Sequence, residues 1–156
     1  MRLNPDCIRD ILFYIEDTTD YQLWTFFPRS PKDFDIQLKN NYSPNEILYH
    51  LELCEEYGYI VTPDKQPMRE IQVKRLSVSG HEFLENIRQD TNWNKTKEVA
   101  KSAGSTSIKI ISNIASNLAV AYISKHLGLW FLIYQSKSKR ILFAEKDSHY
   151  WSHGSI

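Results

Sequence analysis

The sequence has few of the residues that build a covalent or cofactor-holding framework. Its 156 residues include two cysteines and five glycines. Cys7 and Cys54 are too few for a disulfide framework and occupy apolar helix positions, so we expect buried free thiols in a reducing cytoplasm. The sequence contains no glycine-rich phosphate loop, serine-nucleophile elbow or paired-carboxylate motif. We therefore predict a protein that is not an enzyme and that holds no cofactor or metal.

Long hydrophobic runs are also missing. The most apolar stretch, residues 118–134, is interrupted by Ser124, Lys125 and His126, whereas a spanning helix needs about twenty apolar residues in succession. The polar N-terminus leads directly into an amphipathic helix and does not resemble a secretory signal. These features predict a cytoplasmic location and no membrane contact.

The net charge is zero, but the two parts of the chain differ in sign. Residues 1–92 contain 10 Lys and Arg against 16 Asp and Glu, whereas residues 93–156 contain 9 against 3. The first part therefore carries −6 and the second +6. This asymmetry indicates two surfaces with different partners, or a head-to-tail contact within an oligomer.

Two helices have clear signals in the first part of the chain. Asn4 is placed to cap the first helix, with Pro5 at its first position. Ser43 and Glu46 form a capping box for the second helix. Gly58 is expected to end that helix in a left-handed conformation.

Several short segments have the composition of strands. The predicted strands cover residues 21–27, 34–38, 59–62 and 71–78. The last two flank a polar loop, residues 63–67. A third helix is expected to begin at a capping box of Ser79 and Glu82, with a hydrophobic staple between Val78 and Phe83.

The C-terminal part is expected to contain a long helix and a tail. The helix is predicted from about Thr106 to Leu127, with Gly128 as its end. Its apolar residues alternate by three and four like a coiled-coil seam, which needs a partner surface on the same chain or on a second copy. The seam consists of Ile108, Ile111, Ala115, Leu118 and Tyr122. Residues 129–156 hold two apolar runs around a basic stretch, and we expect a hairpin or a poorly folded extension.

The order of these elements predicts an α+β fold with a winged-helix-like head. A capped amphipathic helix followed by a strand, a polar loop and a second strand is the sequence order of a winged helix. We predict a winged-helix-like domain at residues 1–92, a helical extension at 93–128 and a C-terminal tail at 129–156.

The stretch between Tyr42 and Trp93 resembles a known family. The phage- and prophage-borne family catalogued as domain of unknown function 2513 is similar to YSPNEILYHLELCEEYGYI and to the later KRLSVSGHEFLENIRQDTNWNK. It is also similar to NPDCIRDILFYIE and ISKHLGL, so the resemblance covers roughly residues 1–129. The resemblance implies a winged-helix-type fold and a mobile-element origin, and it implies no activity. The tail from Trp130 departs from the family pattern.

Two pairs of residues have the i, i+4 spacing that can hold a metal on one helix. These are His50 with Cys54, and His149 with His153. Neither pair has further ligands in a recognisable motif, so we expect no metal at either one. His81 lies in the predicted capping box, and we expect it to help fix the start of the third helix.

A DNA-reading role through the second helix would require cations that this helix lacks. Between Ser43 and Gly58 there are four Glu and no Lys or Arg, and phosphates would repel such a surface. Cations occur instead in or beside the loop that would form the wing. The candidate nucleic-acid contacts are Lys65, Arg69, Lys74 and Arg75.

The sequence thus favours a regulatory or adaptor protein of a mobile element that acts through protein–protein binding. Its partner would be an unidentified protein or, through the C-terminal helix, a second copy in a homodimer. The alternative function is a winged-helix transcription regulator that contacts DNA through its wing or its basic extension. An enzyme of unrecognised type is a distant third class.

Overall fold

The computed structural model describes the backbone of residues 1–34, 36–105 and 107–148, and the side chains of these residues up to 128 together with that of Trp130. The chain divides into two compact units, Met1–Asn117 and Leu118–Ile156. Helices dominate and the strands are few and short. The predicted α+β fold with a long C-terminal helix is confirmed.

The helices and strands have the following bounds. The α-helices are α1 (Pro5–Thr18), α2 (Pro44–Glu56), α3 (Val78–Ile87), α4 (Asp90–Ser102) and α5 (Ile108–Ser148). The strands are β1 (Thr25–Pro28), β2 (Ile60–Val61), β3 (Glu70–Val73) and β4 (Arg75–Leu76). Two short 3-10 helices, Pro31–Asp33 and Gln37–Asn40, lie between β1 and α2.

The starts of α1 and α2 follow their sequence signals. The Asn4 side chain accepts hydrogen bonds from the N–H groups of Asp6 and Cys7, and the Ser43 side chain accepts one from the N–H of Glu46. These bonds satisfy donors that the first helical turn leaves without partners. Gly58 follows α2 with a φ of 70°, the left-handed conformation that the sequence predicts.

The start of α3 differs from the prediction by two residues. Ser77, not Ser79, is the N-cap, and its hydroxyl accepts a hydrogen bond from the N–H of Gly80. The hydroxyls of Ser77 and Ser79 both donate to the carbonyl of Gly58. Val78 is 73% exposed, so the predicted staple with Phe83 is wrong.

The predicted strands 59–62 and 71–78 pair with each other only in part, as β2 with β4, and a second antiparallel pair uses the rest of segment 71–78. β1 pairs with β3, and β2 pairs with β4. The predicted strand 71–78 is thus divided at Lys74, whose N–H donates to the carbonyl of Val61. The chain from β3 to β4 thereby links the two sheets.

The strand predicted at residues 34–38 is wrong. Phe34 follows the first 3-10 helix and Leu38 lies in the second, and both side chains are buried. Pro31 lies at the start of the first 3-10 helix, where its fixed φ favours a helical turn. The two apolar side chains reach the core from these turns, so their alternation with polar residues did not require a strand.

The core extends well past residue 92, where we predicted the end of the head. Six residues beyond that point are buried with the core of the first unit: Trp93, Thr96, Ala100, Ile108, Ile111 and Ala115. The first compact unit accordingly ends at Asn117. Residues 93–117, the larger part of the predicted extension, therefore complete the head.

Helix α5 does not end at Gly128 but continues to Ser148. Residues 129–148 are accordingly helical, and the hairpin is not formed there. A glycine within a helix costs only about 1 kcal/mol relative to alanine, so it ends a helix only where the chain also turns away. Among the described residues, no helix is long and apolar enough to cross a membrane.

Candidate functional site

The first candidate site is a buried group that joins the start of α1 to α2. The sequence pairs His50 with Cys54, but the structure places His50 with Cys7 and Glu46, whose potential ligand atoms lie within 4.8 Å of one another. Cys7 and His50 are fully buried. By residue type this is a three-ligand set that could hold a transition metal.

The hydrogen bonds of His50 indicate a structural role instead. Its Nε2 accepts from the N–H of Asn4 at 2.8 Å, and its Nδ1 donates to the carbonyl of Glu46 at 2.7 Å. Glu46 also accepts from the side-chain amide of Asn4 at 3.0 Å. A metal would have to displace the bond that holds the cap of α1, because it needs the same nitrogen lone pair.

The protonation of Cys7 leads to the same conclusion. Burial, with smaller contributions from the charges of Glu46 and Asp10, raises the pKa of the Cys7 thiol to about 12. Burial also raises the pKa of Cys54. Since the thiolate is the form that binds metals and attacks electrophiles, these thiols are suited to packing and not to chemistry.

The other histidines that the sequence analysis singled out do not form a site with these residues. His81 is largely exposed on α3, and its Nδ1 lies 3.8 Å from a carboxylate oxygen of Glu16 on α1. Its side chain therefore contacts a neighbouring helix, while its N–H donates to the carbonyl of the N-cap residue Ser77. His149 and His153 lie outside the described residues.

The four candidate nucleic-acid contacts lie in and beside β3 and β4. Lys65, Arg69 and Arg75 are exposed, while Lys74 is half-buried. Arg75 donates to the carbonyl of Leu76, and the ammonium of Lys74 lies 5.3 Å from the centre of the Trp24 ring. Lys65, Arg69 and Arg75 are thus open to solvent, where a cation can reach a phosphate, and Lys74 lies over an aromatic ring.

The structure adds residues that follow β1 and that sequence reasoning missed. Arg69 lines an open groove together with Arg29, Ser30, Asp33 and Met68. The N–H of Arg29 donates to the carbonyl of Arg69 at 2.9 Å, next to the end of the β1–β3 pair. Only the pairing of β1 with β3 brings the two arginines together, because they are far apart in sequence.

The second candidate site is the exposed face of α5. The predicted seam divides: Ile108, Ile111 and Ala115 are buried in the first unit, Leu118 is half-buried, and Tyr122 is 65% exposed. Beyond Leu118, an open groove is lined by Tyr122, Ile123, His126, Leu127 and Trp130. The rings of Tyr122 and His126 contact each other, with centroids 4.2 Å apart.

The apolar members of this groove, Tyr122, Ile123, Leu127 and Trp130, are between 56% and 72% exposed. Exposed apolar clusters of this kind usually mark a binding surface. We call this groove, lined by residues 122, 123, 126, 127 and 130, the α5 face.

Comparison with known proteins places the chain in a family. No solved structure matches it. An uncharacterized protein of Haemophilus influenzae (strain ATCC 51907 / DSM 11121 / KW20 / Rd) is 29% identical over 121 residues, which cover 76% of this chain and 95% of that protein. The sequence profile of the family described as "Hypothetical protein (DUF2513)" matches residues 2–106. Because this match covers more than half of the sequence, the chain belongs to that family.

Proposed function

We propose that this protein is a non-enzymatic adaptor that acts through protein–protein binding, and that the α5 face is its binding surface. The observation that carries the proposal is the exposure of Ile123, Leu127 and Trp130 on one side of a helix. A helix with an apolar side in water is stabilised mainly when that side is covered. We further propose that the adaptor is regulatory and belongs to a mobile element, the origin that the resemblance to the family implies.

The occupant that we propose for the α5 face is a second copy of the chain. The seam on α5 begins with Ile108, Ile111 and Ala115, which the head of the same chain already covers. The remaining seam therefore needs a different surface. A two-fold pair of helices offers an equal apolar side to each copy.

Charge also favours self-association. Residues 1–92 carry −6 and residues 93–156 carry +6, so an antiparallel pair of α5 helices is favoured, in which the basic part of one copy can contact the acidic part of the other. Opposite net charges on two parts of a chain favour contacts between its copies, and added salt weakens those contacts.

Light scattering on the full chain tests this proposal. The wild type should be a dimer, and Ile123→Asp or Leu127→Asp should convert it to a monomer, since an unpaired carboxylate would be buried at the interface. Ala121→Asp is the matched control: Ala121 is exposed on the same helix, and about 3.6 residues per turn place it on the opposite side from the α5 face.

A wild type that stays monomeric at high concentration would overturn the second copy as the occupant. Dimers that persist in both substituted variants would overturn the α5 face as the surface. Ile111→Asp is unsuitable for this test because Ile111 is 1% exposed in the core, and a charge there would unfold the head.

A further inference from the structure

We propose that the outer face of the β1–β3 sheet binds single-stranded nucleic acid. The inner face of this sheet is set by burial: Thr25, Phe27, Ile71 and Val73 all point to the core. Side chains alternate along a strand, so the residues between them face outward. This surface is separate from the α5 face and rests on different observations.

The outer face consists of two cross-strand pairs, with one aromatic residue on β1 and a second just before it. Phe26 lies opposite Gln72, and Pro28 lies opposite Glu70. Just before β1, Trp24 contacts Lys74, which follows β3, with the ammonium 5.3 Å from the ring centre. Phe26 is 45% exposed, although phenylalanine side chains are usually buried.

The spacing of the two rings suits consecutive bases. Trp24 and Phe26 are two residues apart on an extended chain, which separates them by roughly 7 Å. An extended single strand can place one base on each ring, and every base has a flat face that stacks on an aromatic side chain. Bases within a duplex do not expose these faces, so the sheet face discriminates by strandedness.

Cations lie at both ends of this aromatic pair. Lys74 is beside Trp24, and Arg29 and Arg69 meet just beyond the pair of Pro28 with Glu70. A backbone that follows β1 would therefore meet a positive charge before and after the two rings, as a phosphate chain requires.

Three carboxylates lie close to this path and limit its charge. Glu70 accepts a hydrogen bond from the side-chain amide of Gln72 at 2.9 Å, which turns that amide along the face. Asp33 lines the groove that also contains Arg29 and Arg69. A third carboxylate, that of Asp20, accepts a hydrogen bond from the N–H of Leu23, next to Trp24. The two arginines and Lys74 match these acids in number, so stacking on the two rings provides most of the binding and the cations add to it at the ends of the path.

Duplex DNA fits the chain less well than a single strand. The exposed side of α2 carries Glu52, Glu55 and Glu56 and no cation, so this helix is unsuited to a phosphate-lined major groove. The sheet face, by contrast, offers stacking surfaces that only unpaired bases can use. The acidic helix disfavours a duplex and the aromatic face favours unpaired bases, so both observations favour single-stranded nucleic acid.

Fluorescence anisotropy with the full chain tests this inference. The probes are fluorescein-labelled oligothymidylate and oligouridylate of about 12 nucleotides, within the usual site size of such surfaces, and a labelled duplex of equal length. We expect both single strands to bind at low salt and the duplex to bind more weakly.

Substitutions then locate the surface. Phe26→Leu keeps an apolar side chain but removes the ring, and it should weaken single-strand binding roughly tenfold. Lys74→Gln should weaken binding less and reduce its dependence on salt. Tyr57→Leu and Lys101→Gln are controls, an exposed aromatic residue and an exposed cation outside this face, and they should change nothing.

Three results would overturn the inference. The first is a wild type that binds no single strand at low salt, and the second is a duplex that binds as tightly as the single strands. The third is unchanged binding by Phe26→Leu when its circular dichroism matches that of the wild type. Retained single-strand binding by the monomeric Ile123→Asp variant would show that this surface acts independently of the α5 face.

Discussion

At the scale of single residues, Gly80 makes the closest backbone contact of the described glycines. A Cβ atom at this position would lie 2.0 Å from the carbonyl oxygen of Tyr59. The same carbonyl accepts a hydrogen bond from the N–H of Ser77, and the Ser77 hydroxyl accepts one from the N–H of Gly80. The first turn of α3 is thus fixed against the segment that leads into β2, with no room for a side chain.

Gly80→Ala should therefore lower the free energy of unfolding by about 2–3 kcal/mol, the usual cost of forcing an atom into a filled space. Urea unfolding followed by circular dichroism measures the effect. Gly128→Ala is the control, because nothing lies within 4 Å of a Cβ at that helical position. It should raise helix content, since alanine is favoured over glycine by about 1 kcal/mol. Equal stability of Gly80→Ala and wild type would show that α3 shifts freely.

At the scale of elements, an ion pair ties α1 to the end of α3. The guanidinium of Arg88 donates to both carboxylate oxygens of Glu16, at 3.0 and 2.8 Å. It also lies over the ring of Phe13, 5.5 Å from its centre. Two planar groups that meet through two bonds hold a fixed orientation, so this pair adds a defined contact between the two helices.

The pair makes stability depend on pH. The hydrogen bond from Arg88, aided by the charges of Arg88 and His81 and opposed by partial burial, lowers the pKa of Glu16 below its usual 4.5. A carboxyl whose pKa is lower in the folded state contributes stability above its unfolded pKa and loses it as pH falls through the folded pKa. Stability should thus fall with acidification below about pH 4.5.

Glu16→Gln should remove this part of the pH dependence. The loss at neutral pH should be below about 1 kcal/mol, because both side chains are partly exposed and solvent screens the pair. Denaturant unfolding at a series of pH values measures it, with Glu52→Gln on the exposed side of α2 as the control. A Glu16→Gln curve parallel to that of the wild type across the acidic range would contradict the assignment.

Helix starts that depend on residues close in the chain could be predicted from the sequence. The caps at Asn4 and Ser43 act within one helical turn, so their signals are local and correct. The start of α3 was misplaced because Ser77 and Ser79 both offer a hydroxyl, and both hydroxyls donate to the carbonyl of Gly58. Only Ser77 also bonds through its N–H to the distant carbonyl of Tyr59 and accepts from the N–H of Gly80. Gly58 and Gly104 have positive φ values, whereas Gly128 lies within a helix. The residue type alone does not distinguish these two roles of glycine.

The candidate sites were less predictable than the helices. The cations Lys74 and Arg69 were identified by type, but Trp24 and Arg29 join them only through the register between β1 and β3. We paired His50 with Cys54 on the same helix, whereas His50 accepts a hydrogen bond from Asn4, which lies 46 residues earlier in the chain. Such pairings arise from tertiary packing, which a single sequence does not encode locally.

At the scale of the whole molecule, α4 is part of the head and not an extension from it. Asp6 on α1 accepts hydrogen bonds at 2.7 Å from the indole of Trp93 and from the ammonium of Lys97. Arg9 donates to the carbonyl of Ile87 and to the carboxylate of Asp90. The first helix of the chain is thus bonded to the segment that begins where we had predicted the head to end.

Truncation tests where the head ends. A chain of residues 1–92 should fail to unfold cooperatively, because it lacks Trp93, Ile108 and Ile111, each at most 2% exposed in the full chain. Burying a side chain of this kind contributes about 1.5–3 kcal/mol, and the loss of several approaches the total stability of a small domain, about 5–15 kcal/mol. A chain of residues 1–117, the whole first unit, should unfold in one transition with a midpoint close to that of the full protein. Urea titrations read by circular dichroism and tryptophan fluorescence distinguish these outcomes. Cooperative unfolding of residues 1–92 would show that α4 and the start of α5 only cover a finished core, whereas failure of residues 1–117 would place part of the core beyond Asn117.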